Sequence, residues 1–135
     1  MATRILSNAY FLINSVDLSD HVQSMTYEEL VDQQDNTAMG ATTKITKPGL
    51  FDGSLKVTLF QDFATGKVDQ TISPLLGQTT AIEIRPDIGA RSLTNPAWTF
   101  TGSISAYNPI AGKVGDIQLC EVTIELASAF TRQTS

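Results

Sequence analysis

Residues 54–59 alternate strictly between polar and apolar side chains, and this short period constrains the fold more than any other feature. The apolar positions are Leu55, Val57 and Leu59, and the polar positions are Ser54, Lys56 and Thr58. Successive side chains of a β-strand point to opposite faces of a sheet, so the pattern predicts a strand with one buried face. The polar positions then face solvent or a partner.

The same period recurs along much of the chain. It returns in residues 79–86 and 116–126, and an apolar face is expected at Trp98, Phe100, Ile104 and Ala106. One segment differs, since the apolar residues of 67–77 lie three to four positions apart. Pro74 cannot lie deep inside a regular helix, so about two turns ending near Ser73 are expected.

These patterns predict one domain over residues 1–135, mostly β, as an antiparallel β-sandwich or barrel with one flanking α-helix. Residues 32–49 have no apolar period and are predicted to form an extended loop of the β-hairpin type. Residues 127–135 are predicted to form a C-terminal arm. The extended loop raises a functional question, because such a segment serves either as a lid over a pocket or as a strap onto a neighbour.

The charge balance bears on possible partners. The chain has a net charge of −5, and between Ile5 and Thr43 it carries six acidic residues and no Lys or Arg. Nucleic-acid binding needs clustered cations, so this argues against a DNA-binding surface. No apolar run approaches the roughly 20 residues needed to cross a bilayer, and no signal peptide is evident. We therefore expect a cytoplasm-like compartment and no membrane partner.

No pattern of catalytic or metal-binding residues stands out. The lone Cys120 shares a strand parity with Val122 and is expected to be a buried thiol. His21 lies near Asp17 and Asp20, an arrangement more typical of turn capping than of catalysis. Glu121 and Glu125 share one face of a strand, but this suits a solvated or partner-facing side better than a glycosidase site. We expect no enzyme activity, no cofactor and no metal.

The order and spacing of several segments resemble the major tail tube proteins of long-tailed, siphovirus-like bacteriophages. These segments are VDLSDHVQSMTYEE, TAMG, PGLFDGSLKVTLFQDFATGKVDQTISPLLG, EIRPD, TNPAW and YNPIAGKVGD. The resemblance implies a structural virion protein of the tail, assembled in the host cytoplasm as hexameric rings that stack into a tube. It further implies that DNA passes through the lumen without specific binding. The implied partners are further copies of the chain and the tape measure, terminator and distal tail proteins.

With this resemblance, the extended loop is interpreted as a strap that reaches a neighbouring subunit or ring. Its candidate contact residues are Asp32, Asp35, Met39, Lys44, Lys47 and Pro48. We hypothesise that Lys44 and Lys47 meet an acidic patch on the next ring, which could be the Asp32–Asp35 segment itself. Ser54, Lys56 and Thr58 are the candidate lumen face.

Two alternative interpretations remain at the level of sequence. One is another ring-forming assembly protein, such as a tail terminator, a baseplate protein or a secretion-tube protein. The other is a soluble β-sandwich module that binds a glycan or a peptide.

Overall fold

The computed structural model describes Ile5 and residues 9–134, and most of this part of the chain is β-strand. The strands are β1 (Tyr10–Ile13), β2 (Val16–Asp17), β3 (Val22–Asp35), β4 (Thr46–Phe60), β5 (Thr79–Arg85), β6 (Ala97–Ala111), β7 (Leu119–Leu126) and β8 (Thr131–Gln133). One α-helix, α1 (Val68–Ile72), lies between β4 and β5, and 3₁₀ turns occupy Ser19–His21 and Ser73–Leu75.

All strands join one antiparallel sheet in the order β2-β1-β5-β6-β7-β4-β3, with β8 paired to β6. The sheet curls back on itself. The evidence is that the ring of Tyr27 in β3 stacks on the ring of Phe100 in β6, with 5.6 Å between the centroids. In a flat sheet, strands three positions apart would be separated by about 14 Å. The predicted antiparallel β fold with a flanking helix is confirmed, but the sheet is not closed into a barrel.

The core lies inside this curl. The alternation at residues 54–59 has the predicted outcome, since Leu55, Val57 and Leu59 are at most 2% exposed. Val68 and Ile72 of α1 are fully buried in the same cluster, so the helix covers one side of the core. Cys120 is buried as expected, and burial raises the pKa of its thiol to about 11.

The helix is short and changes type at the proline. The α-helical part ends at Ile72, and Pro74 lies within the following 3₁₀ turn, where its missing N–H costs no helical hydrogen bond. Gly77 then turns the chain at φ 80°, a left-handed conformation that glycine adopts without strain. Within the described residues, no helix is long and apolar enough to cross a membrane.

The segment predicted as an extended loop is mostly strand. β3 continues to Asp35 and β4 begins at Thr46, so only residues 36–45 lie outside the ladder. The prediction of a loop over residues 32–49 missed these parts of the two strands. Neither strand has a buried face there, so the sequence shows no apolar period. Pro48 is tolerated because β4 has only β3 as a neighbour at that point and the ladder is irregular between Val31 and Gln33.

A bulge in β6 reverses the parity predicted for its second half. The register shifts between Ile104 and Ala106, and Ala106 is exposed while Tyr107 packs against the core. An inserted residue in one strand moves every later side chain to the opposite face. The prediction that Ala106 shares the face of Phe100 and Ile104 was therefore wrong.

Candidate assembly surfaces

The polar positions of β4 belong to a wider polar surface, here called the polar face. Lys56 lies between Thr26 of β3 and Thr123 of β7. Ser54 and Thr58, two residues before and after it in β4, lie on the same face of the sheet. Directly paired residues share a face of the sheet, so the pairing defines the remaining members. They are Ser24 and Glu28 in β3, Glu121 and Glu125 in β7, and Ser103 and Asn108 in β6.

The polar face carries more negative than positive charge. Glu28 and Glu125 both pair with Ser54, and Glu121 pairs with Thr58, so three acidic residues occupy positions diagonal to Lys56. Diagonal neighbours across strands lie within reach of long side chains, but Lys56 forms no ion pair with another described residue. Each of these acids was visible in the sequence, but their common face follows only from the strand register.

Two stretches of backbone along this surface lack a strand partner within the described residues. β3 pairs only with β4, so its outer edge is open over its length. The second stretch is the part of β6 after Ile104. On that edge of β6, pairing with β5 ends at Ser103, and only the bridge between Leu76 and Ile104 follows it. Unpaired edges of this kind can add a strand from another chain.

The hairpin formed by β3 and β4 extends well beyond the rest of the sheet. Pairing between β4 and β7 begins at Ser54, so residues 46–53 of β4 pair with no strand except β3. At about 3.4 Å per residue this projecting part is roughly 27 Å long. Several large apolar side chains on it are exposed, namely Leu30, Met39, Ile45, Leu50 and Phe51.

Hydrogen bonds organise the base of the hairpin tip, residues 36–45. The hydroxyl of Thr37 accepts the N–H of Ile45 at 2.7 Å, and Asn36 N–H donates to the Ile45 carbonyl at 2.8 Å. Asp35 Oδ1 accepts the N–H of Thr37 at 3.0 Å. Hydrogen bonds from the Thr37 backbone and hydroxyl hold the pKa of Asp35 below its usual value.

The candidate charged residues of the strap lie on one hairpin, with Asp32 and Asp35 in β3, Lys47 in β4 and Lys44 in the tip. Lys47 pairs with Gln34, next to Asp35, which pairs with Thr46. Among the described residues, neither Lys44 nor Lys47 forms an ion pair. Met39 is fully exposed at the tip. The structure therefore brings the predicted strap residues together, while their contact with a neighbour stays a prediction.

The opposite end of the sheet, here called the loop end, carries the β6–β7 loop of residues 112–118. Leu119 pairs with Phe60 at the end of β4, and Gln61 N–H donates to the Gln118 carbonyl at 3.0 Å. Large apolar side chains around this loop are also exposed, namely Ile110, Val114 and Ile117. No apolar period marks these residues in the sequence, although NPIAGKVGDI combines turn glycines with isolated apolar side chains.

His21 lies at the loop end, where its two ring nitrogens contact two aspartates. Its Nδ1 lies 2.8 Å from Asp20 Oδ1, and its Nε2 lies 3.0 Å from Asp62 Oδ2, which ties the turn before β3 to the segment after β4. The pKa of Asp62 lies below its usual value, first because it accepts the Ala64 N–H and next because of His21.

Asp17, the other acid near His21 in sequence, instead accepts the N–H of Ser19 at 2.9 Å. No cluster of three or more His, Cys, Asp or Glu side chains in the described part of the chain is arranged to hold a metal ion. The N-cap position of this turn is Leu18, which makes no side-chain capping bond, so Asp17 contributes its hydrogen bond from one residue earlier.

The C-terminal segment packs on its own subunit. β8 pairs with β6, and Phe130 meets Phe51 and Tyr27 edge to face at 6.1 and 6.5 Å between ring centroids. Arg91 reinforces this by donating to Gln133 of β8. Ser135, the last residue of the predicted C-terminal arm, lies outside the described residues.

No protein-family profile and no curated protein matches this chain. Solved structures do. A chain in the virion of a native gene transfer agent particle matches with a TM-score of 0.76 at 12% identity, covering 97% of this chain and 99% of that chain. A chain in the C6-symmetric tail of an empty gene transfer agent particle matches with a TM-score of 0.67 at 14% identity, covering 85% and 83%.

Two further structures have similar scores. The SPP1 tail tube matches with a TM-score of 0.72 at 12% identity, covering 95% of this chain and 77% of that chain. The sheath/tube terminator of the extracellular contractile injection system PVC matches with a TM-score of 0.70 at 11% identity, covering 98% of each chain. Sequence identities this low show a similarity of fold alone. The shared fold is that of the tail tube proteins that the sequence resembles.

Proposed function

We propose that this chain is the structural subunit of a bacteriophage tail tube and assembles as hexameric rings that stack into a tube. The observation that carries the proposal is the polar face, which spans four adjacent strands (β6, β7, β4 and β3) and has an open strand edge on each side. Six such faces joined edge to edge would form one continuous inner wall. Joining them would also remove the exposed edges that otherwise invite aggregation.

The polar face suits the wall of a DNA conduit. Glu28, Glu121 and Glu125 outnumber Lys56, so a ring of six faces would repel the phosphates of DNA rather than hold them. The hydroxyl-bearing neighbours, Ser54 and Thr58 among them, offer no aromatic ring on which a base could stack. In this proposal Ser54, Lys56 and Thr58 line the lumen, and DNA passes without specific binding.

The projecting hairpin is the proposed strap between rings. Its length of roughly 27 Å beyond β7 suits contact with another subunit better than a lid, since Met39 and Leu50 on it are not buried against their own subunit. The proposed location is the virion tail, after assembly in the host cytoplasm. Proposed partners are other copies of the chain and the tape measure, terminator and distal tail proteins.

Electron microscopy of the purified protein tests the proposal most directly. A concentration series in negative stain, with light scattering alongside, is expected to show hollow tubes whose end views have six-fold symmetry. The six-fold expectation draws support from the C6 tail of the gene transfer agent particle. A folded monomer at every concentration would contradict the proposal and favour the soluble binding module.

A ring-forming terminator is the second candidate function. The PVC sheath/tube terminator, with its TM-score of 0.70 over 98% of both chains, is the observation that favours it. The same images separate the two candidates, because a terminator stops at single rings whereas a tube subunit forms stacks whose length grows with concentration.

A further inference from the structure

His21 is the single histidine of the chain, and its side chain is only 15% exposed. Its Nδ1 lies 2.8 Å from Asp20 Oδ1, and its Nε2 lies 3.0 Å from Asp62 Oδ2. Both separations are hydrogen-bond lengths. Each ring nitrogen of His21 therefore has a carboxylate oxygen as its partner.

These partners indicate which protonation state the arrangement needs. An ionised carboxylate can only accept hydrogen bonds, and a neutral imidazole has a single N–H. A neutral ring would therefore direct the lone pair of one nitrogen at a carboxylate across a hydrogen-bond distance. Only the imidazolium has an N–H on each nitrogen and can donate to both aspartates at once.

The charged groups around the ring are consistent with a positive charge on it. The carboxyl of Asp62 has a pKa below the usual value, first because it accepts the Ala64 N–H at 2.9 Å and next because of the His21 ring. Lys67, just before α1, also attracts this carboxylate. Asp17 instead accepts a backbone N–H of its own turn. A charged ring thus places one cation between two anions.

The ring joins two segments that are far apart in the chain. Asp20 belongs to the turn before β3, whereas Asp62 lies in the connection between β4 and α1. The carbonyl of Asp62 also accepts the N–H of Asp69 in α1 at 3.1 Å. The His21 ring therefore fixes the connection into α1 against the turn from which β3 begins.

We propose that His21, Asp20 and Asp62 form a pH-sensitive clasp, in which loss of a proton from the ring releases Asp20 and weakens the bond to Asp62. Asp20 is the partner released, because its side chain is 74% exposed and can turn into water, whereas that of Asp62 is 31% exposed. The bond that remains lacks the Coulomb attraction of an ion pair. This clasp is a property of the folded subunit and does not depend on assembly into a tube.

NMR of the folded subunit tests the clasp, and the ring signal is unambiguous because the chain has no other histidine. The amide signals of Ala64 and Asp69 are expected to shift with the same pH midpoint as the ring. D20N and D62N each replace a carboxylate with an amide of nearly equal size. Both are expected to lower the pH midpoint of the ring, D62N by more because Asp62 is the less exposed partner.

D116N is the matched control for these two variants. It removes a carboxylate from the β6–β7 loop at the same end of the sheet, and within the described residues no hydrogen bond or ion pair joins Asp116 to the ring. The control is expected to move the midpoint less than either D20N or D62N. A midpoint that D20N and D62N leave unchanged, or that D116N lowers equally, would overturn the clasp.

Denaturant unfolding supplies a second measurement that does not need either aspartate variant to fold. The unfolded chain does not hold two carboxylates against the ring, so the clasp stabilises the folded subunit while the ring is charged and loses this effect as the pH rises. The unsubstituted subunit is therefore expected to be more stable than H21Q at about pH 5.5, with a difference that shrinks by about pH 8.5. A difference that stays constant or grows over this range would contradict the clasp and leave the tube proposal untouched.

Discussion

The two halves of β4 share one strand and one partner in β3, yet they have different relations to the rest of the subunit. In residues 54–60, where β7 flanks the strand, side chains alternate between buried and accessible. In residues 46–52, where β7 is absent, no side chain is buried. The comparison teaches that secondary structure continues through the hairpin while the core does not. Leu50 is therefore exposed without any gain to the isolated subunit.

The largest expected effect contrasts one leucine from each half. L55A should lower the free energy of unfolding by about 2–5 kcal/mol, because it leaves a cavity beneath the sheet. L50A should change it by no more than about 0.5 kcal/mol, since Leu50 is 83% exposed. Denaturant unfolding of the free subunit measures both. Equal destabilisation by the two substitutions would show that the projecting half has a core of its own.

A smaller effect is expected from the charges of the projecting half. K44E/K47E should leave subunit stability unchanged and shorten tubes at about 0.15 M salt, with a weaker effect at about 1 M salt because the interaction is screened. Each exposed pair contributes only about 0–1 kcal/mol, but six copies act in each ring. Tube length by microscopy is the readout. K44R/K47R keeps the charge and is the control, and unchanged tubes in the charge-reversed variant would contradict the role of these lysines.

The smallest effect concerns pH at the hairpin tip. The pKa of Asp35 is lowered from 3.8 in the folded chain by its hydrogen bonds from Thr37. A lowered pKa means that the stabilisation is present above pH 3.8 and is lost as the pH falls through the folded value. The Thr37 amide signal in NMR should therefore shift with a midpoint below pH 3.8.

In D35N that titration of Thr37 should vanish while the signals of Leu55 and Val57 stay in place. Loss of the core signals in the same pH range would instead tie the tip to global unfolding.

Much of the fold was predictable because its signal is local. The parity of residues 54–59 predicted which side chains of β4 are buried, and the spacing before Pro74 predicted a short helix ending near Ser73. The buried Cys120 followed from its parity in the same way. The candidate lumen residues Ser54, Lys56 and Thr58 were likewise recognised by parity, although their exposure to a lumen stays a prediction.

The remaining features depended on contacts between distant segments. The end of β3 and the start of β4 were missed because a hairpin that buries nothing carries no apolar period. Ala106 was placed on the wrong face because a bulge is set by the pairing with β7.

The sequence by itself therefore determined which side chains of each strand share a face, since a period of two residues is a property of the strand alone. Only the tertiary structure decided which strands are neighbours and in what register. For that reason it alone could bring Glu28, Glu121 and Glu125 around Lys56 and place the Met39 tip and the Val114 loop at opposite ends of one sheet. Register is fixed by partners far away in the chain, and no local pattern encodes it.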